Sequence, residues 1–404
     1  MPTRSAFFDI IKYMITLTVF NKRIGPVRGR HPWVFSGALK QIPDGIPGGE
    51  PVELTDEQGN FLAAGYFNSY SQIAVRVWGW EKEEVNDEFF EKRLRNAFVL
   101  REELVIDKNT DAYRLVNGEN DLLPGLIVDV YGDYCSVQFH NPGIERWKEQ
   151  IVAALKKLLK PKGIYERSDM RVRGIEGAEK KSGPLVGKVP DEVKIKENGY
   201  TFIVDIKEGQ KTGFFLDQRD KRQALKKYSK GKNVLNCFSY TGGFSVYSAG
   251  AGAKKTVSVD ASEPALLIAE KNFEENELDL KKAEFVLADV KEYLADREKG
   301  EFDVIILDPP AFVKDRHKIQ EGLQGYRKIN EQALRILPSG GILMTCSCSS
   351  HVTLADFRYM LSEAAARAGR TVQIIETFTH GIDHPVLAAF TEGEYLKCLV
   401  ARVG

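Results

Sequence analysis

The sequence predicts an α/β protein in three parts: a small N-terminal β-barrel, a small central α+β domain and a C-terminal seven-stranded, mostly parallel sheet covered on both faces. Three observations carry this. From residue 233 onward, short β-rich runs alternate with helical stretches, the pattern of a parallel sheet with crossover helices. Those runs are almost continuously apolar, as in "VIIL" (304–307), which suits strands buried on both faces. Upstream the pattern changes to paired strands around one helix, preceded by short β-like runs broken by Gly and Pro. A chain of 404 residues also exceeds one ordinary core.

Residues 1–13 mix Arg4, Asp9 and Lys12 with apolar residues and show no small-residue cleavage site, so they read as neither signal nor anchor. Residues 14–90 contain "PVELTD", "FLAAGYF" and "QIAVRVWGW" and are assigned to the barrel. In 91–195, "GLIVDVYGDYCSVQF" is two strands about a Tyr-Gly-Asp turn. Ile144, Trp147, Ile151, Leu155 and Leu158 then follow helical spacing, and "GIYERSD" returns as a strand. The Lys/Gly-rich stretch 176–188 is expected to be an exposed loop. "VKIKENGYTFIVDI" is a hairpin about Asn198-Gly199 that leads into the large domain, 196–404.

That domain's strands are expected at 233–237, 256–260, 284–289, 302–308, 341–347, 372–378 and 395–403. The last two are joined by a long non-helical loop and are expected as an antiparallel pair at the sheet edge. Ser262 is a plausible N-cap with Pro264 in the first helical turn.

Composition narrows the function classes. Lys plus Arg equals Asp plus Glu at 57 each, so any polyanion must be met by a local basic patch rather than by net charge. No apolar run approaches the roughly 18–20 residues that span a bilayer. Five scattered cysteines, an odd number, argue against a disulfide framework and for a reducing compartment, with cytoplasm as the default.

The first strand of the large domain runs into Thr241-Gly242-Gly243, where glycines let backbone approach a ligand, and the next strand ends at Asp260, which can accept from two ribose hydroxyls. Asp289, after "FVLA", can accept from an adenine amine. Asp308 opens "DPPAF", whose prolines stiffen a loop able to present Asp308 to a flat ring with Phe312 stacked on it. Ligands of open α/β sheets sit outside these strand ends. The pair in "ILMTCSCSS" lacks the further ligands a metal clip needs, and a Cys346–Cys348 disulfide would be strained. Cys346, inside the strand, reads as core packing. Cys348 lies one step beyond it, at a polar rim among Ser347, Ser349 and Ser350. Lys22, Arg23, Arg28, Arg30 and His31 form a basic cluster beside Trp33 and Phe35, a pattern suited to RNA phosphates and bases, although Trp33 suits the barrel core better. Arg167, Arg171 and Arg173 could extend that track.

"NCFSYTGGF", "VSVDAS", "DPPAF" and "TCSCSS", in this order, resemble class I S-adenosylmethionine-dependent methyltransferases, whose large domain is Rossmann-like. "GQKTGFFLDQRDKR" resembles the segment before the cofactor domain in a subset acting on RNA, "RHPWVFSGAL" and "AAGYFNSYSQIAVRVW" resemble a PUA domain, and "YRLVNGENDLLPGLIVDVYGD" resembles that subset's central domain. Together they resemble the bacterial large-subunit (23S) ribosomal RNA cytosine-C5 methyltransferases, over nearly the whole chain from Met14. Residues 1–13 have no counterpart, which makes them a disordered extension or places the true start at Met14.

The resemblance implies S-adenosylmethionine as cofactor and S-adenosylhomocysteine as product. The cofactor residues would be Phe215, Gln218, Arg219, Asn236, Phe238, Ser239, Tyr240, Thr241, Gly242, Gly243, Asp260, Ala261, Ser262, Asp289, Val290, Asp308 and Pro309. It carries the catalytic nucleophile onto Cys348, with Asp308 on the base edge, and assigns ribosomal RNA as partner through Arg28, Arg30, His31, Pro310 and Phe312. No metal and no membrane are implied, and a homodimer is left open. Two departures stand out: Asn236, where an acidic residue is common, and Ala311, where one subset has a second Cys. A base-nitrogen methyltransferase and a non-catalytic RNA-binding or assembly factor are the alternatives. A nicotinamide oxidoreductase is disfavoured by the absence of GxGxxG.

Overall fold

The computed structural model describes residues 14–313 and 315–404. The proposed extension 1–13 lies outside them.

The first part is a five-stranded sheet, β1 (Ile15–Thr18), β2 (Trp33–Phe35), β3 (Pro51–Thr55), β4 (Phe61–Phe67) and β5 (Ile73–Gly79), in the order β1-β3-β4-β5-β2. Its own core holds Leu17, Val52, Leu54, Val75 and Val77. Gly65 sits at a register shift between β4 and β5, where a Cβ would lie 2.2 Å from the carbonyl oxygen of Arg76. Only glycine permits that approach. Tyr66 and Trp78, although on β4 and β5, pack into the next core with Phe90, Leu94 and Trp147.

That second core belongs to a sheet of β6 (Ala112–Asn117), β7 (Leu126–Tyr131), β8 (Tyr134–Phe139), β9 (Gly163–Ser168) and β10 (Lys181–Gly187), ordered β10-β9-β8-β7-β6. Helices α1 (Asp87–Leu104) and α2 (Lys148–Leu159) cover it, and α2 makes the crossover between the parallel neighbours β8 and β9. The stretch expected as an exposed loop instead contains β10. It is indeed largely exposed, but it pairs antiparallel with β9 through a bulge at Pro184/Val186. An edge strand needs no apolar alternation, and Pro is tolerated there, so its composition imitates a loop. A hairpin, β11 (Val193–Glu197) and β12 (Tyr200–Val204), follows, with Asn198 and Gly199 both left-handed at φ 49° and 85°. That is the type I′ geometry the Asn-Gly pair favours.

The large sheet comprises β13 (Asn233–Cys237), β14 (Lys255–Asp260), β15 (Ala283–Leu287), β16 (Val304–Leu307), β17 (Ile342–Ser347), β18 (Val372–Phe378) and β19 (Lys397–Val403). Its order is β15-β14-β13-β16-β17-β19-β18, parallel except for β19, which runs antiparallel to both neighbours. The edge pair is therefore present, with the last strand inserted inside the edge. Helices α3 (Arg219–Ser229), α4 (Gly243–Gly250), α5 (Glu263–Glu275), α6 (Val290–Ala295), α7 (Ile319–Ile336) and α8 (Leu354–Ala368) flank it. Ser262 caps α5, as expected. Strand order reverses between β13 and β16, and the carboxyl ends of these two strands mark the crevice where such sheets bind ligands. Among the described residues no helix is long and apolar enough to cross a membrane.

The loop 379–396 between β18 and β19 returns to the other two parts. Asp383 Oδ2 accepts from the Arg114 backbone N–H at 2.9 Å, and its carbonyl accepts from Arg101 Nη2 at 2.8 Å. Phe390 packs edge-on against Trp33 of β2 at 4.7 Å, and Glu392 lies 3.2 Å from His31. Arg101 is fully buried and also forms a two-pronged pair with Asp121 at 2.6 and 2.8 Å. Breaking such a pair strands a buried charge, so Arg101→Met is expected to cost about 3–5 kcal/mol, read as a lowered urea midpoint.

Candidate active site

The turn after β13 is built from alternating left-handed residues: Phe238 (φ 58°), Tyr240 (φ 48°) and Gly242 (φ 75°). Asp260, at the end of β14, holds it. One carboxylate oxygen accepts from Tyr240 N at 2.8 Å and the other from Ser262 N at 2.9 Å. A Cβ on Gly242 would meet that of Ala269 at 2.9 Å, so glycine lets the turn lie against α5. Ser239 Oγ and Thr241 Oγ1 are buried and have no hydrogen-bond partner among the described residues. Buried hydroxyls are rarely left so, and both belong to residues lining a cavity of about 300 Å³ at the sheet's reversal point.

The cavity brings together most residues expected from the sequence. Phe238, Ser239, Tyr240, Thr241 and Gly243 line it with Asp260, Ala261, Asp289 and Val290. From the other side come Phe215, Gln218, Asp308, Pro309, Pro310 and Cys348. Asp289 Oδ1 also caps α6 through the N–H groups of Lys291 and Glu292. Cys346 faces the interior, opposite Cys398 in the β17–β19 register, whereas Cys348 is half-buried with its Sγ 3.9 Å from the Pro309 carbonyl.

Asp308 accepts from Gln218 Nε2 at 2.9 Å. Burial, reinforced by the nearby Asp217 charge, pushes its pKa up to about 6. Burial would also raise Asp217, but Lys211, His384 and Lys221 together hold it well below the usual carboxylate range. Burial likewise raises the Cys348 thiol, against the opposing pull of Lys211. Around Cys348 the low-dielectric end of the pocket thus sets an ionised Asp217 and an Asp308 poised near neutrality beside a protonated thiol.

Several sequence assignments need correction. Arg219 does not line the cavity: its guanidinium is buried between the Ala112 carbonyl, Asp383 and Glu197. Asn236 lies beneath the floor and donates to Ser245 Oγ at 3.0 Å. Gly242 and Ser262 shape the turn and cap α5 without lining the cavity. Phe312 packs on Tyr326, ring centroids 4.7 Å apart, rather than facing the pocket. His31 is spent on Glu392 and Phe390, and Trp33, which was expected in the barrel core, lies half-buried against Phe390 with its Nε1 donating to Glu119. Arg167 and Arg173 are buried on backbone carbonyls, so only Arg171 of that trio is exposed. Arg28 and Arg30 are exposed; Arg28 lies 3.6 Å from Asp56 and Arg30 over Trp80.

The sequence reading missed Lys211, Asp217 and Arg222 from the segment whose Phe215 and Gln218 it did place, and Leu396 from the C-terminal loop. Charges spaced through "KTGFFLDQRDKR" were the available signal for the first three. Leu396 had none, because its position depends on where a long loop lands.

The raised Asp308 pKa gives a stability prediction. Its folded value lies above the unfolded value of about 3.9, so its contribution is intact below pH ~4 and is lost as pH rises through about 6. Asp308→Asn should therefore stabilise the protein at pH 8 by on the order of 1–3 kcal/mol, with the gain vanishing near pH 4, measured by urea unfolding at both values.

A family model described as S-adenosylmethionine-dependent methyltransferase matches residues 170–400, and one described as a PUA-like domain matches 17–80. Ribosomal RNA large subunit methyltransferase I from Escherichia coli K12 is 44% identical over 378 residues, covering 93% of this chain and 96% of its own. Among solved structures, a protein from Streptococcus mutans described as an S-adenosylmethionine-dependent methyltransferase superposes with a TM-score of 0.82 at 26% identity, over 96% of this chain and 100% of that one. A methyltransferase in complex with S-adenosylhomocysteine superposes at 0.84 with 27% identity and the same coverage. The cavity at the sheet's reversal point, the PUA-like barrel and these matches agree: the chain belongs to the S-adenosylmethionine-dependent methyltransferases, in the family of ribosomal RNA large subunit methyltransferase I.

Proposed function

We propose that this methyltransferase modifies C5 of a cytosine in ribosomal RNA, 23S in particular, in the cytoplasm, through a covalent bond from Cys348 to C6 of the base. The observation that carries the reading is one shared cavity: the only half-exposed thiol among the described cysteines opens onto the same space as the glycine turn and Asp308.

The residues present fit S-adenosylmethionine. The unpartnered hydroxyls of Ser239 and Thr241 offer hydrogen bonds to a polar ligand, Asp260 can accept from ribose hydroxyls, and Asp289 from an adenine amine. When bound, S-adenosylmethionine supplies an electrophilic methyl group on a positive sulfur. The protein's task is to make C5 reactive, because that carbon is a poor nucleophile within an aromatic ring. Addition of the Cys348 thiolate to C6 makes C5 enamine-like and divides one hard step into easier ones. Asp308, poised at about 6, can give a proton to the base's N3 edge as charge develops there. After methyl transfer a base or water must take the C5 proton, so that its electron pair restores the C5–C6 double bond and expels the Cys348 thiolate, while the N3 proton is returned. Lys22, Arg23, Arg28, Arg30 and the 46%-exposed Phe35 are barrel side chains available to RNA. The target base must leave its stack to reach the half-buried thiol.

Denaturing electrophoresis with RNA containing 5-fluorocytosine tests this. The intact protein is expected to form a stable adduct, Cys348→Ala none, with methylation falling at least about 10³-fold. Methylation by the intact protein without any adduct would favour the base-nitrogen reading. Separately, Asp260→Ala is expected to weaken S-adenosylhomocysteine binding about tenfold or more in calorimetry, since about 1.4 kcal/mol of lost contact suffices for that factor.

A further inference from the structure

Burial leaves the Cys348 thiol protonated where the proposed chemistry needs a thiolate, and the side chains around it do not contribute equally to correcting this. Two carboxylates, Asp308 of the Asp-Pro-Pro loop and Asp217 of the turn before α3, face the thiol and oppose its ionisation. From α7, the Tyr326 hydroxyl is shared with Ser349 Oγ at 2.9 Å. From β19, Lys397 is buried, and its ammonium is tied to the carbonyls of Ser349 and Tyr395 at 2.7 and 3.0 Å. Lys211 is placed differently. It lines the same cavity as Cys348, and its Nζ sits 4.6 Å above the ring of Phe215, 5.7 Å from that of Tyr395 and 3.4 Å from Asp217 Oδ2. Its side chain remains 44% exposed, so none of the three encloses it.

The backbone supports a dedicated placement. Lys211 has φ 55°, a left-handed conformation that is unusual for a residue bearing a Cβ. Around it, Gln210 N donates to the Tyr240 hydroxyl at 2.9 Å, which in turn donates to the Gly213 carbonyl at 3.0 Å. The segment carrying Lys211 is therefore latched to the turn that forms the opposite wall of the cavity.

We propose that Lys211 is the positioning cation of the nucleophile: when the Cys348 proton passes to water, the Lys211 ammonium turns from Asp217 to the sulfur and holds it as the thiolate. This deepens the reading of Cys348 as nucleophile and rests on it. Lys211 is 44% exposed and can turn while Lys221, His384 and the Tyr395 hydroxyl, which donates to Asp217 Oδ2 at 2.6 Å, continue to hold that carboxylate, whereas Lys397 is fixed on two carbonyls.

The test reads the thiol directly. In the full-length protein without RNA, the pH of half-maximal alkylation of Cys348 by iodoacetamide is measured by mass spectrometry of its peptide; the other four cysteines are buried. Lys211→Met is expected to raise that pH by about 0.5–1 unit, less than for a fully buried pair because the cation is partly solvated, and Lys211→Arg to restore it. An unchanged midpoint in Lys211→Met overturns the proposal. Should that variant fold poorly, the wild-type protein suffices: 1 M salt screens an exposed cation, so the midpoint is expected to rise between 0.05 M and 1 M salt, and a constant midpoint overturns the proposal equally. Because alkylation requires no RNA, these results are independent of the 5-fluorocytosine adduct. A missing adduct with a Lys211-dependent thiol removes the nucleophile reading; a normal adduct with a Lys211-independent thiol removes only this inference.

Discussion

The central and large domains are tied together by a carboxylate with no exposed surface. Asp383 is fully buried and accepts from the Arg114 backbone, from the Arg219 guanidinium at 3.2 Å and from His384 at 2.9 Å. These partners come from the central sheet, the first helix of the large domain and its own loop. Arg219 also approaches Glu197 on the hairpin, and Arg114 forms a two-pronged pair with Asp129. Arginine suits such places because its planar fork satisfies two acceptors at once and its charge survives burial. Each charge is tolerable only while every partner is present, so the network enforces a single arrangement of the parts.

That arrangement explains why the cavity has two unlike walls. One is the turn between β13 and α4, ordered locally by Asp260. The other comes from the segment before α3 and from Leu396, parts of the chain ordered by contacts with the central domain and its hairpin. Low dielectric on both sides pushes Asp308 and Cys348 toward their neutral forms. Their reactivity then depends on the few charges that face them, which makes Asp217 and Lys211 as consequential as the residues touching a substrate.

Much of this was legible in the sequence where local pattern and tertiary role coincide. The apolar strands β13, β14, β16 and β17 must be buried on both faces, and their alternation with amphipathic helices restricts the domain to a mostly parallel sheet with few possible strand orders. The strand-end aspartates followed from that sheet class, as did the contrast between Cys346 inside a strand and Cys348 just beyond it. The failures share a cause as well. β10 was hidden because an edge strand carries no hydrophobic code, and Arg219 was read as a cofactor contact and Arg173 as part of an RNA track because composition cannot reveal a buried partner. Leu396 and the engagement of His31 and Trp33 depend on where an eighteen-residue connection (379–396) lands, which no local pattern encodes.

The same connection limits how proteins of this design can diverge. It leaves an edge strand, touches the central domain through Asp383 and Pro385, presses Phe390 against the barrel's Trp33, and lends Leu396 to the cavity before re-entering the sheet as β19. An insertion or deletion anywhere along it would put at least one of these anchors out of step. Length changes should therefore accumulate instead at the solvent-facing rim around β10, and descendants of such a chain should keep the spacing from Phe378 to Lys397 even after most surface positions have drifted.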